Sequence, residues 1–115
     1  ANGRVARMLN QAAAAILVCG DLDRAFPPAP DFWVIDAAIA AQNMTLAAND
    51  LDIGSVWLGT WPDEKRVKRQ AAIFQLPETI VPHSILALGY PAEDIDMRAV
   101  RPSRYEENRV HVNQW

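Results

Sequence analysis

The chain has 115 residues, half of them hydrophobic, and a formal net charge of −3. That suffices for one domain with its own core, and not for two of ordinary size. The mild acidity and scattered basic residues argue against a nucleic-acid partner, and no apolar run is long enough to span a bilayer.

The chain opens on Ala1 rather than Met, without a secretory pattern, and enters what reads as the tail of a helix, with Val5, Met8 and Leu9 as spaced apolar positions. A single domain over residues 1–115 with upstream structure missing is the expectation. Next, Ile16–Cys19, closed by Gly20-Asp21, reads as a buried strand. Cys19 lies inside it with no basic neighbour, so it is expected to be structural rather than reactive. As the only cysteine it excludes an internal disulfide and fits a reducing, cytoplasmic setting. Leu22–Pro30 is a loop stiffened by three prolines, placed to cover a pocket or merely to connect.

Phe32–Leu51 follows as a long alanine-rich helix, with Asp31 as its expected N-cap. At about 100° per residue, Trp33, Val34, Ala37, Ala40, Ala41, Met44, Ala48 and Leu51 share one broad arc. Phe32, Ile35, Ile39 and Leu46 form a second arc nearly opposite. Two apolar faces predict a helix between two partners: the domain's own sheet, and either more of the same chain or a second subunit. Asp52 or Gly54 is expected to close the helix in the left-handed conformation. Ser55–Leu58 then reads as a buried strand, with Gly59-Thr60 as its turn.

Thr60 and Asp63 resemble a capping box for a helix reaching about Phe74, with Val67, Ala71 and Phe74 inward. Lys65, Arg66, Lys68 and Arg69 read as its solvated face. His83–Pro91 is expected to be a central strand with His83 at its mouth. No other His, Cys or acid stands at metal-ligand spacing from it, so no metal is expected. Beyond Glu93 the chain is polar, and Val110 and Val112 alternate with polar neighbours as in a strand that docks on a sheet edge, its own or a partner's. There is no P-loop, no G-x-G-x-x-G, no G-x-S-x-G elbow and no catalytic triad around Ser55. From the residues alone the reading stops at a compact α/β domain with an interface-like helix and an arginine-bearing tail.

Three phrases take it further: FWVIDAAIAAQNMTLAANDLDIGSVWLGTWP, FQLPETIVPHSILALGYPAE and RYEENRVHVNQW. In that order and spacing, from about Met8 to Trp115, the chain resembles the C-terminal two-thirds of the FMN-dependent nitroreductase family. The resemblance implies an α+β fold, with a mainly antiparallel sheet flanked by helices, a long central interface helix and a C-terminal arm. It also implies a homodimer with FMN in the interface, NADH or NADPH as hydride donor, and a small-molecule acceptor such as a nitro compound or quinone. Hydride would pass to flavin N5 in a ping-pong cycle with no catalytic side chain. By the same resemblance Trp57, Leu58, Gly59 and Thr60 lie beside the isoalloxazine, while Arg104, and Arg101 after it, bind the FMN phosphate. The family's Arg-x-Ser-x-Arg segment and a further Asn-containing FMN loop have no counterpart here and would precede Ala1. Asp52 stands where Gly is common, and Ile35 where an acid is common. A different reaction on the same fold (flavin breakdown, dehalogenation, dehydrogenation) and a cofactor-free dimerisation or small-ligand-binding module are the alternatives.

Overall fold

The computed structural model describes residues 5–96, 99–100 and 102–115. After a 3-10 helix over Val5–Asn10 come β1 (Ala14–Asp21), α1 (Trp33–Asp50), β2 (Gly54–Gly59), α2 (Glu64–Ile73) and β3 (Ile80–Gly89). The strands form an antiparallel sheet in the order β1-β3-β2. The mixed α/β architecture, with one long helix against an antiparallel sheet, is the one expected. Strand β1 begins before Ile16, because Ala14 and Ala15 pair with Leu88 and Ala87.

β3 is central, and residues 82–87 are buried without alternation, the pattern of a strand covered on both faces. α1 lies across all three strands and buries Trp33, Ala37, Ala41 and Ala48. Its alanines bring helix backbone close to Val18 of β1 and Leu86 of β3. Gly20 completes the fit, since a Cβ there would collide with the Trp33 ring. Of the two arcs predicted for α1, this one is covered except at Met44 and Leu51. Phe32, Ile35, Ile39 and Leu46 stand in solvent.

The helix ends differ in how well the sequence foretold them. Asp52 takes φ 55°, its N–H bonds to Asn49 O, and Ile53 N–H bonds to Ala48 O at 2.8 Å. That is the expected left-handed closure. Asp31, however, is not the N-cap. It sits inside a 3-10 turn, Pro30–Phe32, and Phe32 precedes α1 without a side-chain cap. Proline, with its fixed φ and no N–H, suits the first position of a helical turn and starts it two residues early.

Two expectations about α2 also change. Asp63 alone caps it, accepting the amides of Lys65 and Arg66, while the Thr60 hydroxyl turns inward. Phe74 falls past the helix end and is half exposed, and Gln70 is the residue α2 buries. Residues 92–96 and 102–115 are exposed throughout, and the tail forms no strand. Among the described residues of the tail, Glu107–Arg109 forms a 3-10 turn. Alternation at Val110 and Val112 makes a strand only where an edge accepts its hydrogen bonds, and the tail meets no edge of its own sheet. Among the described residues no helix is long and apolar enough to cross a membrane.

Candidate functional site

The turn that leaves β2 gathers a dense set of side-chain interactions. It is held from three sides. His83 O of β3 accepts both the Thr60 and Trp61 amides, at 3.1 and 3.0 Å. The Thr60 hydroxyl, 1% exposed, donates to Gln70 Oε1 at 2.9 Å. Arg66 Nη1 donates to the Gly59 carbonyl at 3.1 Å, and Arg66 Nε pairs with Asp63 Oδ2 at 3.1 Å. Asp63, Arg66 and Gln70 share one face of α2 at offsets of three and four, so a single helix face supplies two of the three holds.

Aromatic rings surround the turn. Trp33 meets Trp61 edge to face at 5.1 Å. His83 stands between Trp33 and Trp57, with ring centroids 6.0 and 5.9 Å away. It is not at the mouth of its strand, because β3 begins at Ile80, which places His83 inside, buried, with Nδ1 3.1 Å from Ser84 Oγ. Burial holds its imidazole below the usual histidine range. Burial likewise raises the Cys19 thiol, which favours the inert thiol over the thiolate.

The four residues expected beside a flavin ring divide in two. Leu58 and Thr60 are buried beneath the turn, while Gly59 and part of Trp57 face out. A Cβ on Gly59 would meet nothing within 4 Å, and its backbone lies outside the left-handed region. Neither internal contacts nor backbone conformation therefore require glycine here. A glycine in a strand often marks a bulge, a tight bend or a place where a ligand or another backbone comes close.

Arg104 is exposed on the tail, far in sequence from this turn, and Arg101 lies outside the described residues. Gln70 is a residue that sequence reading passed over, and Arg66 was read only as part of a solvated face. The signal was their common helix face with Asp63. The Leu22–Pro30 loop does wall a cleft, of about 540 Å³, between β1 and α1, with Asp21, Arg24, Phe26 and Asp36 in its lining. No group of three metal-binding side chains occurs among the described residues.

An antiparallel sheet crossed by one long helix, with a glycine-ended strand opening to solvent, defines a mixed α/β class of fold. The nitroreductase family model matches residues 4–90, and the chain belongs to that family. It is 40% identical over 108 residues to a Methanothermobacter thermautotrophicus protein provisionally named NADH dehydrogenase/NAD(P)H nitroreductase, covering 94% of this chain and 53% of the relative. A structure provisionally named an NADH oxidase, from Clostridium acetobutylicum, superposes with a TM-score of 0.87 at 32% identity, over 99% of this chain and 66% of the other. An FMN-dependent nitroreductase from Clostridium difficile gives 0.74 at 27% identity, over 90% and 59%. The chain spans about half the length of the first of these relatives.

Proposed function

We propose that the chain is the C-terminal part of an FMN-dependent NAD(P)H oxidoreductase that acts as a homodimer. The observation that carries this is Gly59, which nothing within the chain requires and which leaves the end of β2 open to a flat ligand. The likeness to the FMN-dependent nitroreductase of Clostridium difficile supports FMN as that ligand. Gly59 and Trp57 form the surface against the isoalloxazine, and Leu58 and Thr60 hold that surface from beneath. Arg104, with Arg101, binds the phosphate through the planar, charge-assisted fork of a guanidinium. With FMN bound, the chemistry supplied is hydride transfer through flavin N5 from NADH or NADPH to a nitro compound, quinone or similar acceptor. The protein's share is to bind, orient and shield. The exposed second arc of α1 supports the homodimer, as an apolar stripe left without a partner inside the chain.

The complete protein should be yellow as purified, release FMN on denaturation and oxidise NADH or NADPH with an acceptor. Arg104→Ala should weaken FMN binding by about tenfold to a hundredfold, as loss of a charge-assisted contact does. It should leave riboflavin, which lacks the phosphate, nearly unaffected. A colourless protein that binds neither ligand would sink the flavin reading, and equal losses for both ligands would sink the phosphate role.

A further inference from the structure

We propose that Arg66 is a positioning residue for the flavin turn, fixing the Gly59–Thr60 peptide against which the ring lies. The inference rests on the flavin reading above and deepens it. Gly59 gives a ligand close access, but glycine also leaves the turn its widest range of backbone angles. Something must remove that freedom if the peptide is to present one geometry. The peptide is held at both ends. Its N–H, from Thr60, goes to His83 O, and its carbonyl, from Gly59, goes to Arg66 Nη1.

Arg66 is itself held in place. Asp63 Oδ1 accepts the Lys65 and Arg66 amides, and Asp63 Oδ2 pairs with Arg66 Nε. A planar guanidinium held at two edges has a fixed orientation, which a lysine ammonium on a flexible stem cannot reproduce. The remaining basic residues of α2 do not share this task. Lys68, for one, pairs with Glu64 in full solvent. The Arg66–Asp63 pair is about half exposed, and such pairs add little to stability. The orientation of the turn, rather than the strength of the fold, is therefore what Arg66 contributes.

The test uses the complete protein, unmodified and as Arg66→Met and Arg66→Lys. FMN and riboflavin are titrated by flavin fluorescence, and apoprotein melting is recorded alongside. Arg66→Met should weaken both flavins equally, by about tenfold, because the turn meets the ring and not the phosphate. Melting should stay within about 2 °C of the unmodified protein. Arg66→Lys should recover only part of the lost affinity. Unchanged affinities in Arg66→Met, a loss matched by a large fall in melting temperature, or full recovery with lysine would each overturn the positioning role. Failure of the unmodified protein to bind either flavin is a separate result, and it overturns the flavin reading together with this one.

Discussion

His83 shows how one residue can serve the fold twice. Its carbonyl holds the turn after β2, and its ring fills the space between Trp33 and Trp57. The ring does this as the neutral form, since burial lowers its pKa. In the unfolded chain the same ring titrates near the ordinary value of about 6.5. Below that pH the unfolded state binds the extra proton first, so acidification favours unfolding. The stabilisation is complete above about pH 6.5 and declines as pH falls toward the folded-state pKa. Melting temperature should therefore drop as pH falls below about 6.5, and His83→Gln should flatten that part of the profile. An acid slope as steep in the variant would assign it to the carboxylates instead. In the sequence the strand around His83 was legible, but its start was not. Pro82 looked like a boundary, yet β3 runs through it from Ile80. A proline lacks only its own donor, and here it sits opposite Cys19 at the irregularity in the β1 ladder, where the register shifts.

Among the elements, α1 was the most legible. Its length, its exit at Asp52 and its two apolar arcs all follow from spacing and turn chemistry. Spacing alone left open which arc meets the sheet, and the structure assigns that role to the alanine arc, with Ala41 fully buried. A charge at Ala41 or Ala48 would thus disrupt the chain's own core rather than a subunit contact. The other arc is the one to probe. Ile39, 55% exposed, should tolerate Glu with little effect on the fold. Seated in an interface, that carboxylate would be desolvated without a partner, at several kcal/mol. Ile39→Glu should therefore raise the dimer dissociation constant by about a hundredfold or more, with near-native circular dichroism. Sedimentation velocity over a dilution series checks this, and an undisturbed dimer would move the interface elsewhere. α2 was read less well because Thr60 and Asp63 compete for one cap. Asp63 wins it, and Thr60 is then free to reach Gln70. That choice depends on a partner ten residues away, which local spacing does not reveal.

At the scale of the molecule, surface and shape are both extended for a chain of this length. The chain exposes 9346 Å², about half as much again as a compact monomer of its mass. Its radius of gyration is 17.0 Å, against about 13 Å for a compact chain of this length. Beyond the second arc of α1, the exposed apolar groups include those of the tail. Tyr105, Val110, Val112 and Trp115 are all in solvent, and Trp115 stacks on its near neighbour His111 at 4.5 Å. Four large apolar side chains on a segment that adds nothing to its own core fit an arm that seats on another surface. The arm was legible in composition, whereas its strand was not, because pairing depends on an edge outside the tail. Removing residues 92–115 should therefore leave the sheet and both helices intact, with little change in far-ultraviolet circular dichroism. The loss should appear in association. The truncated dimer should dissociate at about tenfold or higher protein concentration, and its melting temperature should depend more steeply on concentration, as mass action requires. Flavin affinity should fall with it, because Arg104 leaves with the arm. Equal sedimentation profiles and equal FMN affinity for truncated and complete proteins would show that the arm seats on nothing and that its apolar groups are simply solvated.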